Sequence, residues 1–135
     1  MNNYIYEYYQ EIVEGSAVVG EWIRLTYEYV IKGLENKSFF YASKKAQKAI
    51  MFIENFCHHH EGELAPKLIK LELWQKGLIS CIFGIVDKEG NRQFREVVVM
   101  IARKNGKTLL AAAIAEYMAF LDGEYGARIY FAAPK

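Results

Sequence analysis

The heptapeptide "ARKNGKT", residues 102–108, carries the residue types that hold a triphosphate. When Gly-Lys-Thr opens a helix, the backbone N–H groups of Gly106 to Leu109 lack intrahelical partners, and the helix dipole adds partial positive charge beside them. Gly106 lets the backbone approach a phosphate without a Cβ in the way. Lys107 can then reach the β- and γ-phosphates, and the Thr108 hydroxyl can ligate Mg²⁺. The loop is also irregular. The glycine that should open it is missing, because five residues before Gly106 the chain has Ile101. Arg103 and Lys104 stand where small residues are usual. From spacing alone Arg103 reads two ways. It can stabilise charge developing on the γ-phosphate, as an arginine supplied in cis does, or it can make a surface ion pair. The plainest alternative for the whole stretch is a surface loop with a basic tip.

"CHHHEGE" invites a metal reading, but consecutive helical residues point about 100° apart, so Cys57, His58, His59 and His60 cannot converge on one ion. These are the only 3 histidines, which leaves no second ligand pair elsewhere. A solvated helix end is the better reading. No Ser-His-Asp or Cys-His arrangement is supported by the spacing.

The elements that must position the loop divide the chain into two unlike halves. In "GEWIRLTYEYVIKG", Trp22, Leu25, Tyr29 and Val30 recur at helical spacing and read as a core face, with Gly33 as the stop. In "SKKAQKAIMFIENFC", Ser43 is the candidate N-cap, and Ala46, Ile50, Ile53 and Cys57 share one face. A third helix begins near Glu72, with Trp74, Leu78, Cys81, Ile82 and Ile85 as its stripe. The period then changes. "DKEGNRQF" is a turn-rich connector, and Val97 to Ala102 form an apolar run of the kind buried on both faces of a parallel sheet. A helix from Lys107 to about Leu121 follows, with Leu110, Ile114, Tyr117 and Leu121 inward and Ala111 to Ala113 allowing close approach to the sheet. "ARIYFAA", residues 127–133, reads as a second strand. Strand, loop, helix and strand make one βαβ unit with a right-handed crossover. The Gly-Lys-Thr thus falls where a buried strand meets an amphipathic helix, which is where a phosphate needs it.

The bulk properties restrict the function class. The 135 residues suffice for one ordinary domain, and 53% hydrophobic with 24% charged is a globular composition. A net charge of +1 gives no support for general nucleic-acid or membrane-surface binding, although Lys44-Lys45 and Arg103-Lys104 are local basic patches. Cys57 and Cys81 lack a pairing motif and read as reduced thiols. "MNNYIYEYYQ" is no signal peptide, and the apolar run Leu78 to Val86 is too short to span a bilayer. A cytoplasmic protein is expected.

Several stretches in order carry a family likeness: "VVGEWIRLTYEYV", "FIENFCHHHEGE", "LELWQKGLISCIFGIVDKEGNRQFREV", "ARKNGKTLLAAAIAEYM" and "DGEYGARIYFAAPK". From about Ser16 onward the chain resembles the N-terminal part of the large terminase subunit, the ATPase-nuclease that packages DNA in tailed phages. The likeness is to the branch whose deviant Walker A loop reads Arg-Lys-Asn-Gly-Lys-Thr/Ser. The resemblance implies an α/β fold: an N-terminal helical region, residues 1–65, followed over 66–135 by the first βαβ unit of a P-loop NTPase sheet of the additional-strand, RecA-like kind, incomplete. It implies that Gln75 contacts adenine, that Asn105, Gly106, Lys107 and Thr108 hold ATP and its Mg²⁺, and that Arg103 acts in cis as the trigger for γ-phosphate cleavage. By the same resemblance ATP hydrolysis drives double-stranded DNA through a portal protein into a procapsid. A small terminase subunit is a further partner, the intact protein forms a homo-oligomeric ring, and the site of action is the host bacterial cytoplasm.

The chain departs from that family in what it lacks. The later strand ending in an aspartate-glutamate pair, the coupling motif and the metal-dependent nuclease domain have no counterpart in 135 residues. Two parallel strands alone would leave edges unpaired and faces uncovered. The expectation is a fragment of a longer protein or a decayed prophage product, with weak nucleotide binding at best and no turnover. The alternative is a nucleotide-binding or interaction module of another P-loop class, a helicase-like ATPase or a kinase. A kinase would open its loop with glycine where Ile101 stands and would not explain Gln75. A third reading is a non-catalytic helical interaction protein.

Overall fold

The computed structural model describes residues 3–60, 62–123 and 125–132. In chain order it contains α1 (Tyr4–Glu14), α2 (Glu21–Glu35), β1 (Phe40–Tyr41), α3 (Ser43–Phe56), α4 (Leu73–Gly84), β2 (Ile85–Val86) and α5 (Lys107–Phe120). The fold is therefore α/β in content, with five helices and one two-stranded antiparallel sheet among the described residues. Contacts group the chain into two compact units: residues 1–50 with 70–98, and residues 51–69 with 99–135.

In the first unit, α1 begins at Asn3, whose side-chain oxygen accepts from the backbone N–H of Ile5 at 3.2 Å. It ends at Gly15 in the left-handed conformation, φ +81°. This helix went unread in the sequence, although Ile5 and Ile12 recur at helical spacing and both are buried. α1 packs on α4 and α2, and the Tyr8 and Tyr27 rings meet edge to face at 5.1 Å. The core joins Ile5, Ile12, Tyr27, Val30, Ile31, Phe39 and Ile85. β1 and β2 pair through Phe40 with Val86 and Tyr41 with Ile85. The connector after β2 is the tight turn expected there. The Asp87 carboxylate accepts from the N–H groups of Glu89 and Asn91, and Gly90 takes φ +84°.

Three readings of this unit need correction. Of the expected face of α2 only Val30 is buried, together with Tyr27 and Ile31, while Trp22 is 84%, Leu25 42% and Tyr29 59% exposed. An apolar stripe at helical spacing identifies a face but not which of two faces meets the core. Gly33 does not stop α2. It lies buried inside the helix because the Phe39 ring occupies the space a Cβ would fill. α4 begins beside Glu72 as expected, with Glu72 as its N-cap, but Gly77, Ile79, Ser80 and Phe83 are buried, and Cys81 only partly. A helix apolar nearly all round carries little periodic information.

In the second unit, Ile53 and Cys57 are buried at the end of α3, as the face Ala46, Ile50, Ile53, Cys57 requires. The backbones of Cys57 and Ile69 and of His59 and Lys67 pair across a turn that contains the cis peptide Ala65–Pro66. Along α5, Leu110, Ala113 and Tyr117 face inward, whereas Leu121 is 37% exposed. The expected parallel strands do not form. Residues 97–102 have no ladder, with Val98 88% and Met100 92% exposed. Residues 127–132 likewise run without one, with Tyr130 82% exposed, and Ala133 lies outside the described residues. A doubly buried strand is stable only with partners on its edges and layers on its faces, and the described residues supply neither.

Candidate functional site

The loop before α5 has the helix start that its sequence requires. Arg103 and Lys104 form a turn, and α5 begins at Lys107. Gly106 is the N-cap at φ +68°, and no side chain caps the helix. A Cβ on Gly106 would meet nothing within 4 Å, so the backbone conformation, rather than crowding, selects glycine here. Lys104 also takes a left-handed φ, +65°, at a cost of roughly 1–2 kcal/mol for a non-glycine residue. Asn105 lies between these two positive-φ residues, and its side-chain amide donates to the Ala102 carbonyl at 3.4 Å. Alternation of left- and right-handed residues turns successive N–H groups toward one side, making a concavity for an anion. All residues from Ala102 to Thr108 are exposed.

The helix that carries this loop is held at its far end. Phe52 and Tyr117 rings pack 5.8 Å apart, and the Cys57 thiol donates to the Glu116 carboxylate at 3.6 Å. Burial first, and the adjacent Glu116 charge second, push the Cys57 thiol up to about 11, so it stays protonated. This anchor was invisible in the sequence, since Cys57 and Glu116 are remote in the chain.

Gln75 lies in the first unit, in the opening turn of α4, while Arg103, Asn105, Gly106, Lys107 and Thr108 share one loop in the second. Its side-chain oxygen accepts from the Glu72 N–H at 2.8 Å, which closes the helix start. The pattern Glu-x-x-Gln before an apolar run could have revealed that capping role.

Residues 73–135 match the family described as "Terminase large subunit, ATPase domain". The match covers a little under half of the chain. The match begins at the first residue of α4 and takes in Gln75, the basic loop and α5. A terminase large subunit of Enterobacteria phage HK97 is 36% identical over 70 residues, which is 52% of this chain and 13% of that protein. The aligned stretch thus spans about an eighth of that terminase. No solved structure matches the chain. Among the described residues no helix is long and apolar enough to cross a membrane.

Proposed function

We propose that the chain contributes the nucleotide-binding segment of a phage DNA-packaging ATPase. The carrying observation is the terminase ATPase-domain match over residues 73–135, which includes the loop at the start of α5. In this reading residues 1–65 form an N-terminal helical region, and the ATPase domain starts at 66. Asn105 and Gly106 shape the backbone cradle, Lys107 holds the β- and γ-phosphates of ATP, and Thr108 ligates Mg²⁺. Bound Mg²⁺ would neutralise phosphate charge as the γ-phosphoryl group leaves. Arg103 supplies positive charge at the γ-phosphate from within the loop, and Gln75 contacts adenine. The uncapped start of α5 and the positive φ at Lys104 and Gly106 support an anion-binding role for the loop. Double-stranded DNA, a portal protein and a small terminase subunit are the proposed partners, within a homo-oligomeric ring in the host cytoplasm.

The test is a chimera in which residues 73–135 replace the aligned segment of the HK97 large terminase. The reading expects a folded protein that hydrolyses ATP and packages DNA. A folded chimera that binds ATP analogues no better than a Lys107→Ala version would overturn it.

A further inference from the structure

Lys44 and Lys45 form a basic patch to which nucleotide binding gives no role, and α3 extends it. Between Glu35 and Glu54 the chain carries Lys37, Lys44, Lys45 and Lys48 and no acidic residue. Lys44, Lys45 and Lys48 fall within the first six residues of α3, and all are exposed. The first turn of that helix has no acid. Positive charge at a helix start opposes the helix dipole, and Lys44 and Lys48 form a like-charge pair one turn apart. These lysines therefore do not serve the helix that carries them.

The fold adds a further cation to the patch. The Lys45 ammonium donates to the Gly90 carbonyl at 2.6 Å, which sets the turn after β2 against the start of α3. Lys88 stands exposed in that turn. Of the two carboxylates there, Asp87 accepts from the N–H groups of Glu89 and Asn91, and Glu89 is exposed. Four lysines thus meet one exposed carboxylate where these two segments of the first unit adjoin.

We propose that Lys44, Lys45, Lys48 and Lys88 form a surface that holds the phosphate backbone of double-stranded DNA. Ammonium groups on flexible stems meet phosphates as point charges and read no base edge, so the contact is independent of sequence. A protein that moves DNA past itself has to hold it in that way. The choice of duplex DNA over another polyanion rests on the packaging function proposed above.

Fluorescence anisotropy of a labelled random-sequence duplex, titrated with the full chain, reads the contact. Affinity should fall roughly 100-fold between about 50 and 200 mM salt, as counterion release predicts for four neutralised phosphates. Lys44→Glu and Lys88→Glu, on the two segments, should each weaken binding about tenfold at the lower salt and flatten its salt dependence. The same charge change at Lys67→Glu, exposed in the second unit, should alter affinity less than about twofold. All three positions are exposed, and a glutamate in the first turn of α3 suits the dipole, so helical content by circular dichroism should be unchanged. Binding of an ATP analogue should also be untouched by Lys44→Glu. ATP-analogue binding that depends on Lys107, with no duplex binding at low salt, would overturn this surface and leave the nucleotide site standing. Duplex binding that depends on Lys44 and Lys88, without ATP-analogue binding, would do the reverse. Equal losses from Lys67→Glu and Lys44→Glu would overturn the proposal. So would displacement of the duplex by poly-glutamate as readily as by unlabelled DNA, which would assign the surface to an acidic protein.

Discussion

The side-chain oxygen of Gln75 accepts the backbone N–H of Glu72 at 2.8 Å, so the residue proposed to contact adenine also caps helix α4. An amide offers an acceptor and two donors, and a purine edge is read through both kinds of group. Gln75→Glu keeps the acceptor and removes the donors, whereas Gln75→Ala removes both. The Glu variant should retain the stability of the first unit but lose the preference for ATP over GTP. The Ala variant should lose that preference and also about 0.5–2 kcal/mol of stability. Urea unfolding and competitive nucleotide binding separate the two effects. A Glu variant that still prefers ATP would remove Gln75 from base recognition.

Arg103 and Thr108 make distinct predictions in the HK97 chimera. Arg103→Ala should leave ATP binding within a few-fold while lowering kcat by about 10³ or more, as for other arginines acting at the γ-phosphate. Thr108→Ala should weaken binding chiefly when Mg²⁺ is present. Steady-state hydrolysis and titrations with and without EDTA measure both. Lost binding in Arg103→Ala with normal turnover per bound ATP contradicts the trigger role.

Gly33 is fixed by packing rather than by helix termination. Alanine would ordinarily improve a helix interior by about 1 kcal/mol, but here the Phe39 ring fills the Cβ position. Overpacking should dominate, so Gly33→Ala is expected to destabilise by roughly 1–3 kcal/mol. Gly20→Ser, at an N-cap with open space around it, should change stability by only a few tenths of a kcal/mol. An unchanged or raised urea midpoint for Gly33→Ala contradicts the packing account.

The contrast between these residues explains what could be read in advance. The loop, the helix it starts and the buried face of α3 were legible because each depends on local spacing and on one clear amphipathic face. The orientation of α2 was not, because Trp22 and Tyr29 on one side and Tyr27 and Ile31 on the other are equally apolar. The strand composition of residues 97–102 was read correctly as apolar and β-branched, yet a strand exists only through its partners. Gln75 capping and the Cys57–Glu116 anchor concern side-chain geometry, which spacing does not fix.

The two thiols predict an alkaline limit to stability. Burial raises Cys57 to about 11 and Cys81 to about 12. Both stay protonated in the folded chain at pH values where the unfolded chain ionises them. Their contribution is complete below pH ~9 and is lost as pH rises toward the folded values, by about 1.4 kcal/mol per unit for each thiol. Urea midpoints should therefore fall between about pH 9 and 11, and less steeply in Cys57→Ala. A flat profile over that window contradicts the burial of these groups.

The most direct test of the central claim is a titration of a fluorescent ATP analogue with Mg²⁺ into the chain and its Lys107→Ala variant. Weak, saturable binding that drops at least about tenfold in the variant is the result expected of a phosphate site at residues 103–108. Equal signals from the two proteins, including no binding by either, would contradict it.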